Sequence, residues 1–286
     1  MRFQHVYHAV HCEPWLILPS AHAAIEALLD AKIAESAEAF FAARPESGFW
    51  GDVMPKMEVN GGIAEIPVIG TIGKGLGSFE KSCGATGVED VLGDINEALG
   101  RRDVRGILLN IDSPGGTTTG VPELAGAVAR ACEQKPVVAF TDGMMASAAY
   151  WLGSQANLVI GSRSANVGSV GVYIPWTDMT KRAEMLGLKV EATKNKEGTY
   201  KAMGLPGTAL TDAQREHLQQ RADEIFSMFK GDILARRPGV KAEAMRGQTL
   251  LAAAARASGL IDDVGGIGRA RESLNALIRM RGAGGN

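Results

Sequence analysis

The sequence predicts an α/β fold with a mostly parallel sheet. Residues 106–111 (GILLNI) and 136–140 (PVVAF) are short and predominantly apolar, as strands covered on both faces are. Each of these runs follows a stretch in which apolar residues recur at helical spacing. Strands that alternate with helices in this way are typical of parallel sheets, because parallel neighbours need a crossover connection.

The order of the elements can be followed along the chain. Residues 1–60 form a leader region, and its alanine-rich stretch 21–43 has the apolar spacing of a helix. Residues 62–72 are β-branched and bounded by glycine, which predicts the first core strand, and a glycine-rich loop follows over 73–87. The later predictions are a helix at 88–99, a strand at 106–111, a helix at 122–132, a strand at 136–140, a helix at 146–156, strands at 158–160 and 170–174, and a helix at 267–280.

A helical C-terminal part, residues 211–280, is expected to complete the domain whose core spans 61–210. Thr211 with Gln214 three residues later forms a capping-box pattern at the start of a long helix. The glycine-rich last residues, 281–286, are expected to form a disordered tail. The apolar stripe of the long helix consists of Leu218, Ile225, Phe226, Phe229 and Ile233.

Length and composition indicate a globular protein and exclude several classes. The chain has 286 residues, 45% hydrophobic and 22% charged, with a formal net charge of −2. Such a charge gives no general attraction for nucleic acid. No run of about 18 uncharged apolar residues is present and the N-terminus lacks a signal-peptide pattern, so we expect no membrane anchor. The three widely spaced cysteines form no disulfide framework and favour a reducing, cytoplasmic compartment.

The histidine distribution limits the chemistry. Four of the five histidines lie in the first 22 residues, and the fifth is His217. His5, His8 and His11, together with Cys12, have a spacing that would suit one helix face, but no second cluster completes a metal shell. We therefore expect no metal and no cofactor, and no catalytic histidine between residues 23 and 216.

A strand that runs into a glycine turn is the first feature with catalytic potential. Residues 111–116 read IDSPGG, and the adjacent Gly115 and Gly116 let the backbone approach a ligand without a Cβ in the way. Freed N–H groups in such a turn can point at one oxygen, as an oxyanion hole requires. A plain tight turn would have the same sequence.

A serine at the start of a helix is the second feature. Ser147 follows the strand at 136–140 and stands where a helix of small residues begins. The N–H of Ala148 is expected to donate to the same oxygen that Ser147 would create, since helix starts leave amides without partners. A serine that only caps the helix is the alternative. The G-x-S-x-G elbow of the α/β-hydrolases is absent.

Together the two features, about 30 residues apart, resemble the Clp protease/crotonase superfamily, and most closely the signal peptide peptidase A family of serine peptidases. The resemblance covers about residues 62–280 and implies a core of repeated β-β-α units. One departure is Ser-Ala-Ala at Ser147, where that family usually has Ser-Gly-Gly. The segments that carry the resemblance are GIAEIPVIGTI, DVRGILLNIDSPGG, PVVAFTDGMMASAAYWLGSQA, NVGSVGVY, GTYKAMGLP and GQTLLAAAARASGLIDDVGGI.

The resemblance implies a role for each site residue. Without a histidine in the relevant stretch, the base for Ser147 would be a lysine, and Lys201 in GTYKAMG matches the catalytic lysine of the family. Lys194 and Lys196 are competitors in a polar run. Tyr200, Met203 and Leu205 are expected to shield the Lys201 amine from water, and Ser169 is expected to orient it. Gly116 or Gly115, with Ala148, would supply the backbone N–H groups of the oxyanion hole.

The leader is similar to the start of phage and prophage members of this family, and the chain shows no membrane anchor. This similarity implies a head-maturation protease that cleaves scaffold or other head proteins. The wider superfamily usually forms closed assemblies, which implies a homo-oligomer. A cytoplasmic peptidase of the bacterium is the second interpretation. Two others are a crotonase-type enzyme acting on acyl-CoA and an inactive structural subunit of the capsid. Whether Ser147 and Lys201 pair within one chain or between chains is open at this stage.

Overall fold

The computed structural model describes residue 10 and residues 14–34, 56–77, 80–81 and 84–283. The strands are β1 (Trp15–Ile17), β2 (Glu58–Asn60), β3 (Ile63–Ile69), β4 (Ile72–Gly73), β5 (Thr86–Gly87), β6 (Gly106–Asp112), β7 (Gly115–Thr117), β8 (Val137–Thr141), β9 (Met144–Ala146), β10 (Leu158–Gly161), β11 (Asn166–Gly168), β12 (Thr249–Leu251) and β13 (Asp263–Val264). The helices are α1 (Pro19–Ala34), α2 (Val88–Gly100), α3 (Val121–Gln134), α4 (Ala148–Ser154), α5 (Thr180–Met185), α6 (Asp212–Arg236), α7 (Ala252–Ala257) and α8 (Ile267–Ala283), with a 3-10 turn at Ala242–Ala244.

A repeated β-β-α unit organises the core, as the resemblance implied. In each unit a long strand is followed by a short strand and a helix: β6, β7 and α3 form one unit, and β8, β9 and α4 form the next. The long strands form a six-stranded sheet in the order β13-β10-β8-β6-β3-β2, which is parallel except for β2. The short strands form two smaller sheets, β1-β7-β4-β5 and β12-β11-β9.

The apolar runs identified in the sequence form the centre of the large sheet. Ile107, Leu108 and Leu109 of β6 are fully buried, and so are Val138 and Ala139 of β8. Side chains of a strand alternate between its two faces, and burial on both faces requires covering layers. Helices α2 and α3 contribute buried residues to the main core cluster, while α8 packs in a second cluster with β6 and β8. The prediction of an α/β fold with a mostly parallel sheet is confirmed.

Helix α6 supports the short helix α4 from outside the sheet. Thr211 and Gln214 form the predicted capping box at its start, and Ile225, Phe229 and Ile233 of its apolar stripe are buried. The Phe229 ring stacks on Trp151 of α4 with centroids 4.6 Å apart. The indole N–H of Trp151 also donates to Asp232 at 2.9 Å. This packing fixes the position of α4, and with it the residue that precedes α4.

Several boundaries differ from the sequence prediction. The strand expected at 170–174 is found at Asn166–Gly168, because Gly168 and Ser169 both adopt positive φ and end it. The helix expected from 146 begins at Ala148, since residues up to 146 pair in β9. Residues 281–283, expected in a disordered tail, continue α8. Residues 284–286 lie outside the described part of the chain.

The leader is not separate from the core. Its residues Trp15–Ile17 pair with β7, and Glu58–Asn60 pair with β3. The helix expected over 21–43 spans Pro19–Ala34. The residues considered and rejected as metal ligands, His5, His8, His11 and Cys12, lie outside the described residues. No helix in the described part of the chain combines the length and the apolar character needed to cross a bilayer.

Candidate active site

Ser147 lies at the junction between β9 and α4 in a conformation that few residues adopt. Its backbone angles are φ 55° and ψ −117°. Its N–H donates to the Gly168 carbonyl at 2.7 Å, and its carbonyl accepts from the Trp151 N–H at 2.9 Å. The backbone is therefore held in place from both sides, which is what a sparsely populated conformation needs to persist.

The hydroxyl of Ser147 is buried without a partner. The residue is 1% exposed, and its Oγ makes no hydrogen bond within the described residues. Leaving a buried hydroxyl unsatisfied costs about 1–3 kcal/mol, so structural serines are seldom held this way. A helix-capping role is also not seen, because the side chain makes no cap hydrogen bond. Strain and an unused hydroxyl at one residue indicate a reactive position.

The glycine turn lies beside the chain that leads into Ser147. The Ser113 N–H donates to the Met144 carbonyl at 2.8 Å, and the Ser113 carbonyl accepts from the Ala146 N–H at 3.1 Å. Ser113, two residues before β7, is thus one strand spacing, about 4.8 Å, from Met145. Because β7 also contacts α4, Gly115 and Gly116 lie in the same part of the fold as Ser147.

The two glycines differ in what their N–H groups can do. Gly115 has φ 108°, and its N–H donates to Ser113 Oγ at 3.2 Å. Gly116 pairs with Ile72 of β4 on one side and with Leu16 of β1 on the other. The N–H of Gly115 is engaged within its own turn, whereas the N–H of Gly116 faces the separate strand β1 and would be available to an external oxygen only without that pairing.

Gly116 also has no room for a side chain. A Cβ at this position would lie 1.8 Å from the Ile72 carbonyl oxygen, which is backbone and cannot move aside cheaply. We expect Gly116→Ala to lower the free energy of unfolding by about 1–3 kcal/mol, because β4 and β7 would have to separate. Urea unfolding monitored by circular dichroism would measure the change.

A second glycine offers a matched control for this prediction. Gly93 lies within helix α2, and a Cβ added there would meet nothing within 4 Å. Gly93→Ala is expected to raise the stability by up to about 1 kcal/mol, because alanine has the higher helix propensity. Equal stability of Gly116→Ala and the wild type would show that β4 and β7 do not pack this closely.

Helix α4 is held by contacts that the sequence analysis did not identify. Ala148, its first residue, is fully buried, and its N–H belongs to the first turn, where no intrahelical acceptor is available. The hydroxyl of the fully buried Tyr150 donates to the Leu260 carbonyl at 2.8 Å. The spacing of aromatic residues on α4 and α6 could have indicated that the two helices pack. No sequence pattern indicates the hydrogen bond between Tyr150 and Leu260.

Ser169 lines a cavity of about 820 Å³ next to the short strand β11. It is 5% exposed, with φ 52°, and its N–H donates to the Gln248 carbonyl at 2.7 Å. Tyr173 and Trp176 line the same cavity, and within the described residues the Tyr173 hydroxyl and the Trp176 indole N–H are buried without partners. Burial, together with the carboxylate of Glu26, raises the pKa of Tyr173 to about 12, so its hydroxyl remains a donor at neutral pH.

Lys201 makes no hydrogen bond to the Ser147 hydroxyl within one copy of the chain. It is exposed, and the residues before it are attached to α6: the Thr199 carbonyl accepts from Gln214 at 3.4 Å, and the Tyr200 ring lies 4.6 Å from that of His217. Lys201 does not line the cavity of Ser169 either. The expectation that its neighbours shield the amine from water is not met in this conformation, because Tyr200 is itself half exposed.

Comparison with known proteins adds evidence independent of this geometry. Residues 129–281, just over half of the chain, match the model of peptidase family S49. The matched range contains Ser147, Ser169 and Lys201 but not the glycine turn. The chain is 32% identical over 186 residues to the head-tail preconnector protein GP5 of Enterobacteria phage P21, covering 65% of this chain and 36% of that protein.

Two further relatives come from a phage and a bacterium. Capsid assembly protease C of Escherichia phage lambda is 34% identical over 178 residues, which covers 62% of this chain and 40% of the relative. Protease 4 of Haemophilus influenzae is 25% identical over 225 residues, covering 77% of this chain and 35% of the relative. The chain thus spans well under half the length of these curated relatives.

Proposed function

The chain belongs to peptidase family S49, and from that premise we propose that it is a serine peptidase in which Ser147 is the nucleophile and Lys201 the general base. The observation that carries the proposal is the Ser147 hydroxyl: buried, without a hydrogen-bond partner among the described residues, and held on a strained backbone beside Gly116. A group placed this way performs no structural task that would explain the strain.

The proposed reaction proceeds through an acyl-enzyme. The amine of Lys201 takes the hydroxyl proton of Ser147, and Oγ forms a bond to the carbonyl carbon of a peptide. The N–H groups of Gly116 and Ala148 donate to the oxygen that becomes negative. The C–N bond breaks as the lysine returns the proton to the leaving amine, and a water molecule then hydrolyses the ester by the same route.

We propose that the serine and the lysine of one active site come from neighbouring copies. Lys201 is exposed, and the same segment carries some of the most exposed large apolar side chains of the described chain. Met185 is 88% exposed, Leu186 65% and Leu188 58%. Apolar side chains exposed together favour a contact with another protein surface. Such a contact would bring Lys201 toward the cavity of Ser169 in the adjacent copy, where Ser169 would orient the amine.

The proposed substrates are polypeptides of an assembling phage head, cleaved inside that head or in the bacterial cytoplasm. The printed names of two relatives, a capsid assembly protease and a head-tail preconnector protein, support this setting. A peptidase of the bacterial cell remains the second candidate, supported by the similarity to Protease 4.

A covalent probe tests the class of reaction. A fluorophosphonate is expected to label the wild-type chain at Ser147, located by peptide mass spectrometry, and to leave Ser147→Ala unlabelled. An acyl-CoA enzyme of the crotonase type would not be labelled at Ser147. Incubation with the neighbouring head proteins of the same phage genome then tests the substrate. Uncut head proteins beside a labelled Ser147 would contradict the assignment to head maturation but not the peptidase chemistry.

A further inference from the structure

Strand β1 lies antiparallel to β7 along the edge that carries Gly116. In this register Leu16 stands opposite Gly116. The Leu18 N–H donates to the Pro114 carbonyl at 3.1 Å at one end of the pairing. At the other end the Thr118 N–H donates to the Pro14 carbonyl at 3.2 Å. Both bonds lie two residues from the Leu16–Gly116 pair. Because hydrogen-bonded pairs alternate in an antiparallel ladder, Leu16 and Gly116 form a hydrogen-bonded pair.

In this register the acceptor of the Gly116 N–H comes from the chain itself. In a hydrogen-bonded pair each residue donates to the other, so the Gly116 N–H points at the Leu16 carbonyl. Gly116 is the residue whose N–H the proposed reaction needs for the developing oxyanion. The Leu16 carbonyl therefore stands where the carbonyl of a scissile peptide would have to bind.

The other edge of β1 is bonded as well. The Trp15 N–H donates to the Tyr173 carbonyl at 2.9 Å, and the Tyr173 N–H donates to the Trp15 carbonyl at 3.2 Å. Tyr173 follows Ser169 in the segment that leaves the active site. β1 is thus hydrogen-bonded to β7 along one edge and to Tyr173, in the segment after Ser169, along the other. An extended peptide would be bound in the same way by strand addition.

Local contacts hold β1 in this place. Trp15 and Ile17 are buried in a small apolar cluster with Val10, whereas Leu16 between them is buried in the main core. The His22 ring is 2.7 Å from the Val10 carbonyl, and its centroid is 4.9 Å from that of Trp15. Only three residues of β1 pair with β7. A three-residue strand that reaches the main core through Leu16 alone can leave while the rest of the sheet stays folded.

We propose that β1 is an autoinhibitory strand: it occupies the edge where polypeptide substrates bind and has to leave before Ser147 can act on one. The inference rests on the proposed peptidase function. The buried hydroxyl of Ser147 fits this closed state, because no polypeptide can reach it without movement. The fully buried Leu16 further predicts that substrates place an aliphatic residue before the cleaved bond.

A binding experiment tests the occupancy of the edge without requiring catalysis. A fluorescent peptide copying residues 13–19 (EPWLILP) is titrated with Ser147→Ala and with Ser147→Ala that also carries Trp15→Ala and Ile17→Ala. We expect the second chain to bind the peptide about tenfold more tightly, because an occupied edge lowers apparent affinity by the fraction of open molecules. Leu277→Ala in the Ser147→Ala chain controls for general loss of packing, since Leu277 packs on the other side of the large sheet. Equal dissociation constants, or no binding by either chain, would overturn the proposal.

A reversible cross-link tests the inhibition and keeps the sequence of the chain constant. Trp15 and Thr117 stand directly opposite each other and form no hydrogen bond with one another. In such a pair the Cα atoms are about 4.5 Å apart, and a disulfide can form. The chain Trp15→Cys/Thr117→Cys, with Cys12→Ser and Cys83→Ser, is assayed on a polypeptide before and after reduction. Thr117→Cys alone in the same background is the control.

The two experiments separate failure of the inference from failure of the proposed function. We expect the oxidised double variant to be inactive and reduction to restore hydrolysis. Equal rates in the two redox states would overturn the autoinhibition. No hydrolysis in either state, together with tighter peptide binding after Trp15→Ala and Ile17→Ala, would refute the peptidase function and leave the strand exchange supported.

Discussion

Replacing Ser147 by alanine is expected to lower kcat/KM for polypeptide hydrolysis by about 10⁴- to 10⁶-fold, because the acyl-enzyme can no longer form. The fold should survive, since the Ser147 side chain makes no hydrogen bond within the described residues. The loss of a single unpaired oxygen is therefore expected to leave the thermal unfolding midpoint unchanged or slightly raised. The measurement is the initial rate on a quenched fluorescent polypeptide, with differential scanning calorimetry alongside.

A second serine shows whether the effect is specific to Ser147. Ser162 follows β10, and its hydroxyl donates to the Asp142 carbonyl at 3.0 Å. Ser162→Ala is expected to retain kcat/KM within about threefold, because this bond lies on the surface and is worth about 1 kcal/mol of stability. If Ser147→Ala cleaved the substrate as fast as Ser162→Ala does, Ser147 would not be the nucleophile.

Replacing Lys201 by methionine is expected to lower kcat by about 10³-fold or more, because the serine loses the base that accepts its proton. Methionine keeps most of the unbranched apolar stem of lysine and removes the amine. Lys196→Met is the matched control, since Lys196 is exposed in the same part of the chain. A Lys196→Met chain with the larger loss would reverse the assignment of the base.

Mixing two inactive chains tests where the base comes from. Ser147→Ala retains Lys201, and Lys201→Met retains Ser147, so assembly of the two is expected to restore hydrolysis if sites form between copies. Each variant alone at the same total concentration serves as the control. Absence of restored activity in a mixture whose co-assembly is confirmed by native mass spectrometry would contradict pairing between copies and favour pairing within one chain.

Elements with a clear sequence pattern, such as an apolar run or a capping box, were predictable because the pattern directly reflects burial or capping of the backbone. The run 106–111 and the capping box at Thr211 appear in the structure almost where the pattern puts them. The predicted ends of strands and helices were wrong where the backbone conformation of a single residue determines the end. The positive φ of Ser169 ends β11 at Gly168, and serine has no general preference for positive φ from which this could be predicted.

The N-terminal strand shows a different kind of failure. WLI is only three residues long, and a short apolar run cannot be distinguished from a helix segment by periodicity. Its strand character comes from pairing with Gly115 and Gly116, about 100 residues further along the chain. Such a contact depends on where the sheet edge lies, and local sequence does not record it.

By itself, the sequence determined the fold class and the absence of a histidine between residues 23 and 216, which follow from residue types and their spacing. The candidate nucleophile was indicated by the resemblance of several ordered motifs to a known family. Only the tertiary structure decided that the Ser147 hydroxyl is buried and unpaired, that Gly116 rather than Gly115 presents an N–H to the edge of β7, and that the chain's own β1 covers that edge. It also showed that Lys201 is exposed and makes no hydrogen bond to Ser147, a relation that depends on how distant segments pack and not on any residue type.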